Sequence, residues 1–424
     1  MHITEKSGLG GIGRAFSDVN FRWYSVGAIA TWIGYFAQLL AVSWYAWELT
    51  ESTRWLAIVA LLDILPNIVL MPLAGAVADR FDKYRMMGLV SLLALIQAIV
   101  LTVMAWQGVL TIVPFALLVL LHGVIISFMV PAMYGILPRF VHRSALTPAI
   151  AVSSAYAQLA VFIGPIVAGW VIAVYSVSVA FALNAIGYVI YLVSWALMKT
   201  PKEFVAPEKA PRSIMADVVD GIHYLINHKV ISSLLVLMLF GDALGAAIFY
   251  MAPAFSEQIL SMGISGVSVM LGAKGVGATL AAIWLAYGGE QLVTARRILN
   301  GYLLFVCSVF AVFVSGHLIV AIAFFVVMGW AAETYGTTVM SLVQLSVTEE
   351  QRGRVMGTLF MVAQLASGVG TYLIGYFAVS HGLIAPTLSV AVACLAVWAL
   401  YFFRRNQLQD NLDSTPKQSP NSDQ

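Results

Sequence analysis

Twelve long apolar runs, separated by short polar gaps, make up most of this chain. A helix needs about 20 mostly apolar residues to cross a bilayer, and the runs are long enough to do so. Backbone polar groups in lipid must bond internally, and runs this long favour helices over the short alternating strands of a barrel. We therefore predict an all-α integral membrane protein. Its predicted spans are residues 23–47, 55–78, 86–106, 111–134, 149–174, 178–198, 231–254, 265–287, 297–316, 318–342, 355–379 and 384–403.

The basic residues follow these spans in a one-sided pattern. Lys and Arg gather before span 1, after spans 2, 4, 6 and 8, and after span 12, whereas the opposite gaps hold only Arg54. The positive-inside rule then places both termini in the cytoplasm. Only 10% of the 424 residues are charged, too few to cover the surface of a water-soluble fold. A formal net charge of +2 suggests no nucleic-acid partner, and two cysteines inside spans argue against a disulfide framework or a cysteine metal site.

Six spans precede and six follow the longest internal gap. This predicts an N-terminal six-helix half at 1–198, a cytoplasmic linker at 199–230, a C-terminal six-helix half at 231–405 and a disordered cytoplasmic tail at 406–424. In the linker, apolar residues recur at helical spacing from Ile214 to Ile226, which predicts an amphipathic helix. That helix either lies along the cytoplasmic membrane face or is a solvated linker, and the sequence leaves both open.

An internal repeat supports the division into halves. The segment Ala157-Gln158-Leu159-Ala160 of span 5 recurs as Ala363-Gln364-Leu365-Ala366 of span 11. At the same offset Gly164 matches Gly370, and Gly169 matches Gly375. Two parallel six-helix repeats are the architecture of one large class of secondary transporters.

The gap between spans 2 and 3 carries a recognisable motif, Gly-Ala-Val-Ala-Asp-Arg-Phe-Asp-Lys-Tyr-Arg, from Gly75 to Arg85. It resembles the signature loop of the major facilitator superfamily. The resemblance implies the twelve-helix major facilitator fold and a gate that latches the two halves when the cytoplasmic side is closed. Two positions depart from the pattern: Asp82 stands where the family usually has Gly, and Tyr84 where it often has a basic residue. The implied gate residues are Gly75, Asp79, Arg80, Lys83 and Arg85.

Two further segments carry the resemblance. Span 5 contains Gly164, Pro165 and Gly169 in a pattern similar to the glycine-proline motif of the superfamily's drug/proton antiporters. An ordinary kinked, tightly packed helix would show the same pattern and is the alternative. The loop Arg352-Gly353-Arg354-Val355-Met356-Gly357, with Arg352 and Arg354, resembles a bacterial branch that exports siderophores of the enterobactin type, macrolides or other drugs. This resemblance implies a bacterial inner-membrane exporter.

Four ionisable residues lie inside predicted spans: Asp63, Asp242, Lys274 and Glu333. Each costs roughly 2.5–3.5 kcal/mol to insert, so such residues are functional candidates by default. We hypothesise that Lys274 neutralises Asp242 or Glu333 while the other carboxylate exchanges a proton. A permanent structural ion pair is the alternative. Asp63 is either a second proton or substrate site, or simply hydrated.

Uncharged polar and aromatic residues suggest a central cavity. By the resemblance, spans 1, 4, 7 and 10 line it, and aromatic walls with few polar groups suit an amphiphilic organic substrate. Packing or lipid contact is the alternative for any single aromatic. The candidate cavity residues are Trp32, Tyr35, Gln38, Asn67, His122, Gln158, Thr337 and Gln364.

The chain has no Gly-rich phosphate loop and no metalloprotease or serine-hydrolase motif, so we predict no enzyme activity and no cofactor, with the proton gradient as energy source. Together with the resemblance, this predicts a secondary transporter that exports an amphiphilic, drug-like or siderophore-like small molecule by proton antiport and alternating access. Its partners would be that substrate, protons and membrane lipids, and by the resemblance it acts as a monomer. Two alternatives stay open: an importer or facilitator of a nutrient or lipid, and a membrane sensor or scaffold without transport.

Overall fold

The computed structural model describes residues 10–142, 145–199, 214–288, 294–315, 318–347 and 349–404. In these ranges the regular secondary structure is helical, and twelve helices are long and apolar enough to cross a membrane. The predicted all-α membrane fold with twelve spans is therefore confirmed. The predicted disordered tail at 406–424 lies outside the described residues and stays a prediction.

Seven helices form the N-terminal part of the chain. A short helix that the hydropathy pattern does not indicate precedes the first span, and a single 3₁₀ turn at Leu137–Arg139 follows the fourth. The helices are α1 (Gly10–Phe16), α2 (Val19–Thr50), α3 (Thr53–Arg80), α4 (Lys83–Trp106), α5 (Ile112–Ile136), α6 (Leu146–Val174) and α7 (Val177–Leu197).

Eight helices form the rest of the described chain. A π-helical turn at Ser256–Leu260 ends at Ser261, whose φ of 53° is left-handed. The helices are α8 (Ile214–Asn227), α9 (Lys229–Tyr250), α10 (Ala252–Phe255), α11 (Gly263–Gly288), α12 (Ala295–Ser315), α13 (Leu318–Ser346), α14 (Glu349–His381) and α15 (Ile384–Phe403).

The chain divides into two compact units, and residues 50–68 belong to the second unit although they lie early in the sequence. The first unit comprises residues 1–49 and 69–210, and the second comprises 50–68 and 211–424. The beginning of α3 thus packs with the second unit, where Thr53 Oγ1 donates a hydrogen bond to the Gly375 carbonyl at 3.0 Å. The predicted division into halves had assigned all of α3 to the N-terminal half.

The repeated glycines lie at close helix crossings. In the first unit a Cβ added at Gly164 of α6 would lie 3.0 Å from the Ala37 nitrogen of α2. In the second unit a Cβ at Gly370 of α14 would lie 2.6 Å from the Ala243 Cα of α9. Helices in lipid associate through van der Waals contact and hydrogen bonds, so small residues that let backbones touch supply much of the packing. The two copies of the repeat therefore make equivalent contacts.

The predicted amphipathic helix is α8, and it packs against α9 and α14. Gly221 lies directly on the side chain of Thr358 in α14, and Leu225 is buried. Val219 and Ile226 remain exposed. One side of α8 is therefore attached to the bundle, an arrangement that neither of the two sequence-based alternatives included.

His228 forms the corner between α8 and α9. Its Nδ1 accepts the N–H of Ile231 at 3.4 Å, and its ring stacks on Tyr224 with centroids 5.6 Å apart. Partial burial lowers the pKa of His228 below its ordinary value of 6.5, because burial disfavours the charged ring. Protonation at Nδ1 would also remove the acceptor that caps α9.

We expect substitution of Gly370 to weaken the second unit. Gly370→Ala forces Cβ into Ala243, and overpacking of this kind costs about 1–3 kcal/mol. Thermal unfolding in detergent should show a lower midpoint for Gly370→Ala than for the parent. Gly336→Ala is the matched control, because a Cβ there meets nothing within 4 Å. Equal midpoints for both variants would contradict the crossing described above.

The cap at His228 predicts a pH dependence of stability. The folded pKa lies below the unfolded one, so the stabilisation is complete above the unfolded value of 6.5 and is lost as the pH falls through and below it. His228→Asn keeps a capping acceptor but does not titrate. The midpoint of thermal unfolding should therefore fall more for the parent than for His228→Asn between about pH 7.5 and about pH 5. Identical pH profiles would show that the cap does not titrate.

Candidate functional site

Asp242 lies near the middle of α9, beside two buried tyrosines of neighbouring helices. The hydroxyl of Tyr335 in α13 contacts the adjacent Gly241, and the Tyr302 ring of α12 packs edge-on against Tyr335 with centroids 5.3 Å apart. Both phenols lie within electrostatic range of the Asp242 carboxylate. Within the described residues no cation forms an ion pair with Asp242. The carboxylate therefore lies among groups that are polar but neutral.

Glu333 has a different neutral neighbour. Thr337, one turn further along α13, donates its hydroxyl to Glu333 Oε1 at 2.6 Å. Glu333 is half-buried and Thr337 is exposed. The hydrogen bond joins one of the four ionisable candidates of the spans to a candidate cavity residue.

Lys274 lies where α11 and α13 touch. A Cβ at Gly329 of α13 would lie 2.7 Å from the carbonyl carbon of Lys274, and a Cβ at Gly277 would lie 2.8 Å from the Trp330 nitrogen. This contact puts Lys274 level with Gly329, one turn away from Glu333. Because side chains on both helices lean toward their N-terminal ends, the offset persists at the level of the charged groups. Among the described residues no ion pair joins Lys274 to Asp242 or Glu333, so the hypothesised pairing is not formed in this structure.

Asp63 belongs to the second unit and is only 6% exposed. The hydroxyl of Tyr250 approaches Asp63 Oδ2 at 3.5 Å, at the limit of a hydrogen bond. Asn67 donates its amide to the backbone carbonyl of Asp63 at 3.2 Å. This hydrogen bond lies within α3 and joins Asn67 to the backbone one turn earlier.

The first unit contains a cleft between α2, α5 and α6 with about 570 Å³ of empty space, its open mouth included. Trp32 and Tyr24 line one wall, Met133 lines another, and Ser153 and Tyr156 provide hydroxyls that bond each other at 3.0 Å. This wall chemistry, aromatic and sulfur-containing with few polar groups, is typical of sites for amphiphilic molecules.

The other predicted cavity residues have separate surroundings. Tyr35 packs against Trp32 and stacks on buried His122 at 5.8 Å, so these three rings form one cluster. Gln38 is 1% exposed, and its Oε1 accepts a hydrogen bond from Asn184 of α7 at 2.5 Å. Gln158 is exposed and Gln364 is half-buried.

Asp82 and Tyr84, the two departures from the family pattern, both have structural roles in and beside the loop between α3 and α4. Asp82 caps α4 by accepting the N–H of Tyr84 at 3.1 Å, and it pairs with Arg139 at 3.0 Å. Tyr84 donates its hydroxyl to the Trp195 carbonyl at 2.8 Å, while Trp195 Nε1 donates to the Tyr84 carbonyl at 3.1 Å. The two rings stack at 5.0 Å. Asp82 and Tyr84 thus fasten the loop to the first unit.

The remaining gate residues are placed as follows. Gly75, Asp79 and Arg80 lie in the last turns of α3, and their side chains lie outside the described part of the structure. Lys83 is half-buried and Arg85 is exposed at the start of α4. Arg352 and Arg354 lie early in α14, again with side chains outside the described part, and Gly164, Pro165 and Gly169 are buried in α6. The gating and antiporter roles of these residues stay predictions.

A family model described as transmembrane secretion effector matches residues 14–423. The chain belongs to this branch of the major facilitator superfamily. The match covers nearly all of the described helices, so the family assignment applies to both units. Secretion effectors of this family are membrane transporters, and the expectation that the protein is not an enzyme is confirmed.

Two relatives of this chain are named as efflux or transport proteins. Macrolide efflux protein A of Streptococcus pyogenes is 23% identical over 84% of this chain and 89% of its own length. The staphyloferrin A transporter of Staphylococcus aureus is 21% identical over 91% of this chain and 96% of its own length.

Solved structures share the fold of this secretion effector. A bacterial homologue of the human lysosomal transporter Spinster has a TM-score of 0.74 at 13% identity, covering 95% of this chain and 98% of that one. A peptide transporter in complex with sulfate has a TM-score of 0.75 at 13% identity, covering 93% of this chain and 96% of that one. At these identities the likeness establishes the fold.

The double role of Asp82 can be separated by two substitutions. Asp82→Asn removes the ion pair with Arg139 but keeps a good capping side chain, whereas Asp82→Ala removes both. We expect Asp82→Ala to be less stable than Asp82→Asn by about 1 kcal/mol, the usual value of a helix cap. Denaturant unfolding in detergent measures the difference. If both variants lose the same amount, the cap does not contribute.

Proposed function

We propose that this secretion effector is a proton-coupled exporter of amphiphilic small molecules that works by alternating access. The observation that carries the proposal is Asp242, a carboxylate near the middle of a span, with two phenols nearby and no ion-pair partner among the described residues. A charge at that depth costs roughly 2.5–3.5 kcal/mol, so binding a proton relieves a real penalty.

Proton binding drives transport only if it favours one conformation over another, because a ligand with equal affinity for both states shifts nothing. The surroundings of Asp242 can give it different proton affinities in the two conformations. It is stable as a neutral acid where it lies among Tyr302, Tyr335 and apolar neighbours, and stable as an anion when water reaches it. We propose that the state open to the outside loads the proton and that the state open to the cytoplasm releases it.

The charge pattern and the relatives support a direction of transport and a membrane location for the protein. The basic loops favour cytoplasmic termini by the positive-inside rule, and bacterial relatives favour the cytoplasmic (inner) membrane of a bacterium. Those relatives are named as a macrolide efflux protein and a staphyloferrin A transporter, which favours export as the direction. The proton gradient is the proposed energy source, and the proposed functional form is a monomer.

The aromatic cleft of the first unit is the proposed site for the apolar part of the substrate. Trp32, Tyr24 and Met133 supply flat or flexible apolar walls, and Ser153 with Tyr156 supplies hydroxyls. Such a surface selects by amphiphilic character more than by a fixed hydrogen-bond pattern.

Inverted membrane vesicles test the proposal with a macrolide antibiotic as the probe. In energised vesicles that contain the parent protein, adding the macrolide should release protons, detected with a pH-sensitive dye. Asp242→Asn should lower this proton release by about tenfold or more, because an amide cannot bind and release the exchanged proton.

Glu257→Gln is the matched control, because it removes a carboxylate at an exposed position outside the spans. Its proton release should equal that of the parent. Undiminished proton release by Asp242→Asn would contradict the role of Asp242. Macrolide movement without proton movement in the parent would identify a facilitator instead.

A further inference from the structure

Where α12 begins, an arginine lies over a tryptophan near the end of α11. The guanidinium carbon of Arg297 is 4.7 Å from the centre of the Trp284 ring, which is a cation–π contact. The Trp284 ring packs in turn against Trp330 of α13, with ring centroids 5.2 Å apart. The cation is therefore held by a ring of α11 that α13 supports from behind.

The guanidinium of Arg297 has no polar partner among the described residues. Its Nη1 is buried without a hydrogen bond, and neither Arg297 nor its exposed neighbour Arg296 forms an ion pair with a described residue. Residues 289–293, which precede α12 and lie outside the described ranges, contribute one acid, Glu290, against these two arginines. An aromatic ring covers the face of a guanidinium but leaves the N–H groups in its plane available to an acceptor.

An exposed apolar stripe of α11 leads directly to this arginine. Val276, Leu280, Ile283 and Trp284 are all exposed and recur at helical spacing inside a span. From 276 to 284 the stripe is about 12 Å long at roughly 1.5 Å per residue, close to the roughly 15 Å of one bilayer leaflet. Because Trp284 belongs both to the stripe and to the contact with Arg297, the apolar surface and the cation adjoin.

The depth of the arginines in the membrane suits a phospholipid headgroup. Trp284 lies one residue before the end of its span, and Arg296 and Arg297 follow the first residue of the next span. Tryptophan and arginine at span ends are typical of the interface between hydrocarbon and headgroups. The positive-inside rule predicts that this end faces the cytoplasm, where anionic lipids attract basic residues.

We propose that this surface binds one anionic phospholipid, with its phosphate at Arg296 and Arg297 and an acyl chain along the exposed stripe of α11. Charge complementarity identifies the occupant, because two adjacent arginines favour a headgroup of net negative charge over a zwitterionic one. The apolar stripe favours a lipid over a soluble phosphate. The inference goes beyond the proposed function, since it depends neither on the transported substrate nor on proton coupling.

Native mass spectrometry of the full chain in detergent tests the site, with phosphatidylglycerol as the anionic probe and phosphatidylcholine as the zwitterionic one. The parent should bind its first phosphatidylglycerol on the order of tenfold tighter than phosphatidylcholine, and Arg297→Gln should lower this preference about fivefold. Trp284→Leu should also lower it, because the apolar stripe stays while the ring that holds the guanidinium is lost.

Arg54→Gln is the matched control. Arg54 also lies over an aromatic ring, 5.7 Å from the centre of Tyr376, and near the start of a span, but it has no adjacent basic residue. This variant should leave the preference for phosphatidylglycerol unchanged. Thermal unfolding in detergent establishes that each variant is folded.

Equal affinity of the parent for the two lipids would overturn the inference. An unchanged preference in a folded double variant, Arg296→Gln with Arg297→Gln, would do the same, as would an unchanged preference in Trp284→Leu. Glycerol phosphate carries the charge of the headgroup without acyl chains. Its displacement of phosphatidylglycerol at equal concentration would show a site for soluble anions and would contradict the role of the stripe.

Discussion

Helices in a bilayer gain little by hiding apolar side chains, because lipid tails are as apolar as the side chains themselves. The structure depends instead on places where two backbones touch. Gly164 brings α6 onto α2, Gly370 brings α14 onto α9, and Gly277 with Gly329 joins α11 to α13. These contacts fix the depth and rotation of the helices that they join, and with them the positions of the polar groups on those helices.

That constraint accounts for the surroundings of the intramembrane charges. Lys274 is level with Gly329 because the backbones meet there, and Glu333 on the same helix is consequently one turn away. Each carboxylate then lies near a neutral hydroxyl: Tyr250 approaches Asp63, Thr337 of the same helix bonds Glu333, and two phenols lie near Asp242. For the proposed proton coupling this arrangement matters, because a strong internal ion pair would hold both charges in one state.

The sequence predicted the fold well, because the length of an apolar run is a local property that decides by itself whether a helix can span the bilayer. The helical period of residues 214–226 likewise predicted α8. Contacts between helices are harder to predict from the sequence. Nothing in the local pattern indicates that residues 50–68 pack with the second unit, that Gln38 is held by Asn184, or that Lys274 misses both carboxylates, because hydropathy does not encode the register between two helices. Asp82 is the exception, because an Asp just before a helix is a capping signal that the local sequence does carry.

The pairing of Asp82 with Arg139 links two loops that are far apart in the chain. Glycine in place of Asp82 would remove both this ion pair and the side-chain cap of α4. One carboxylate therefore holds the turn that opens α4 and the turn that follows α5 in fixed positions relative to each other.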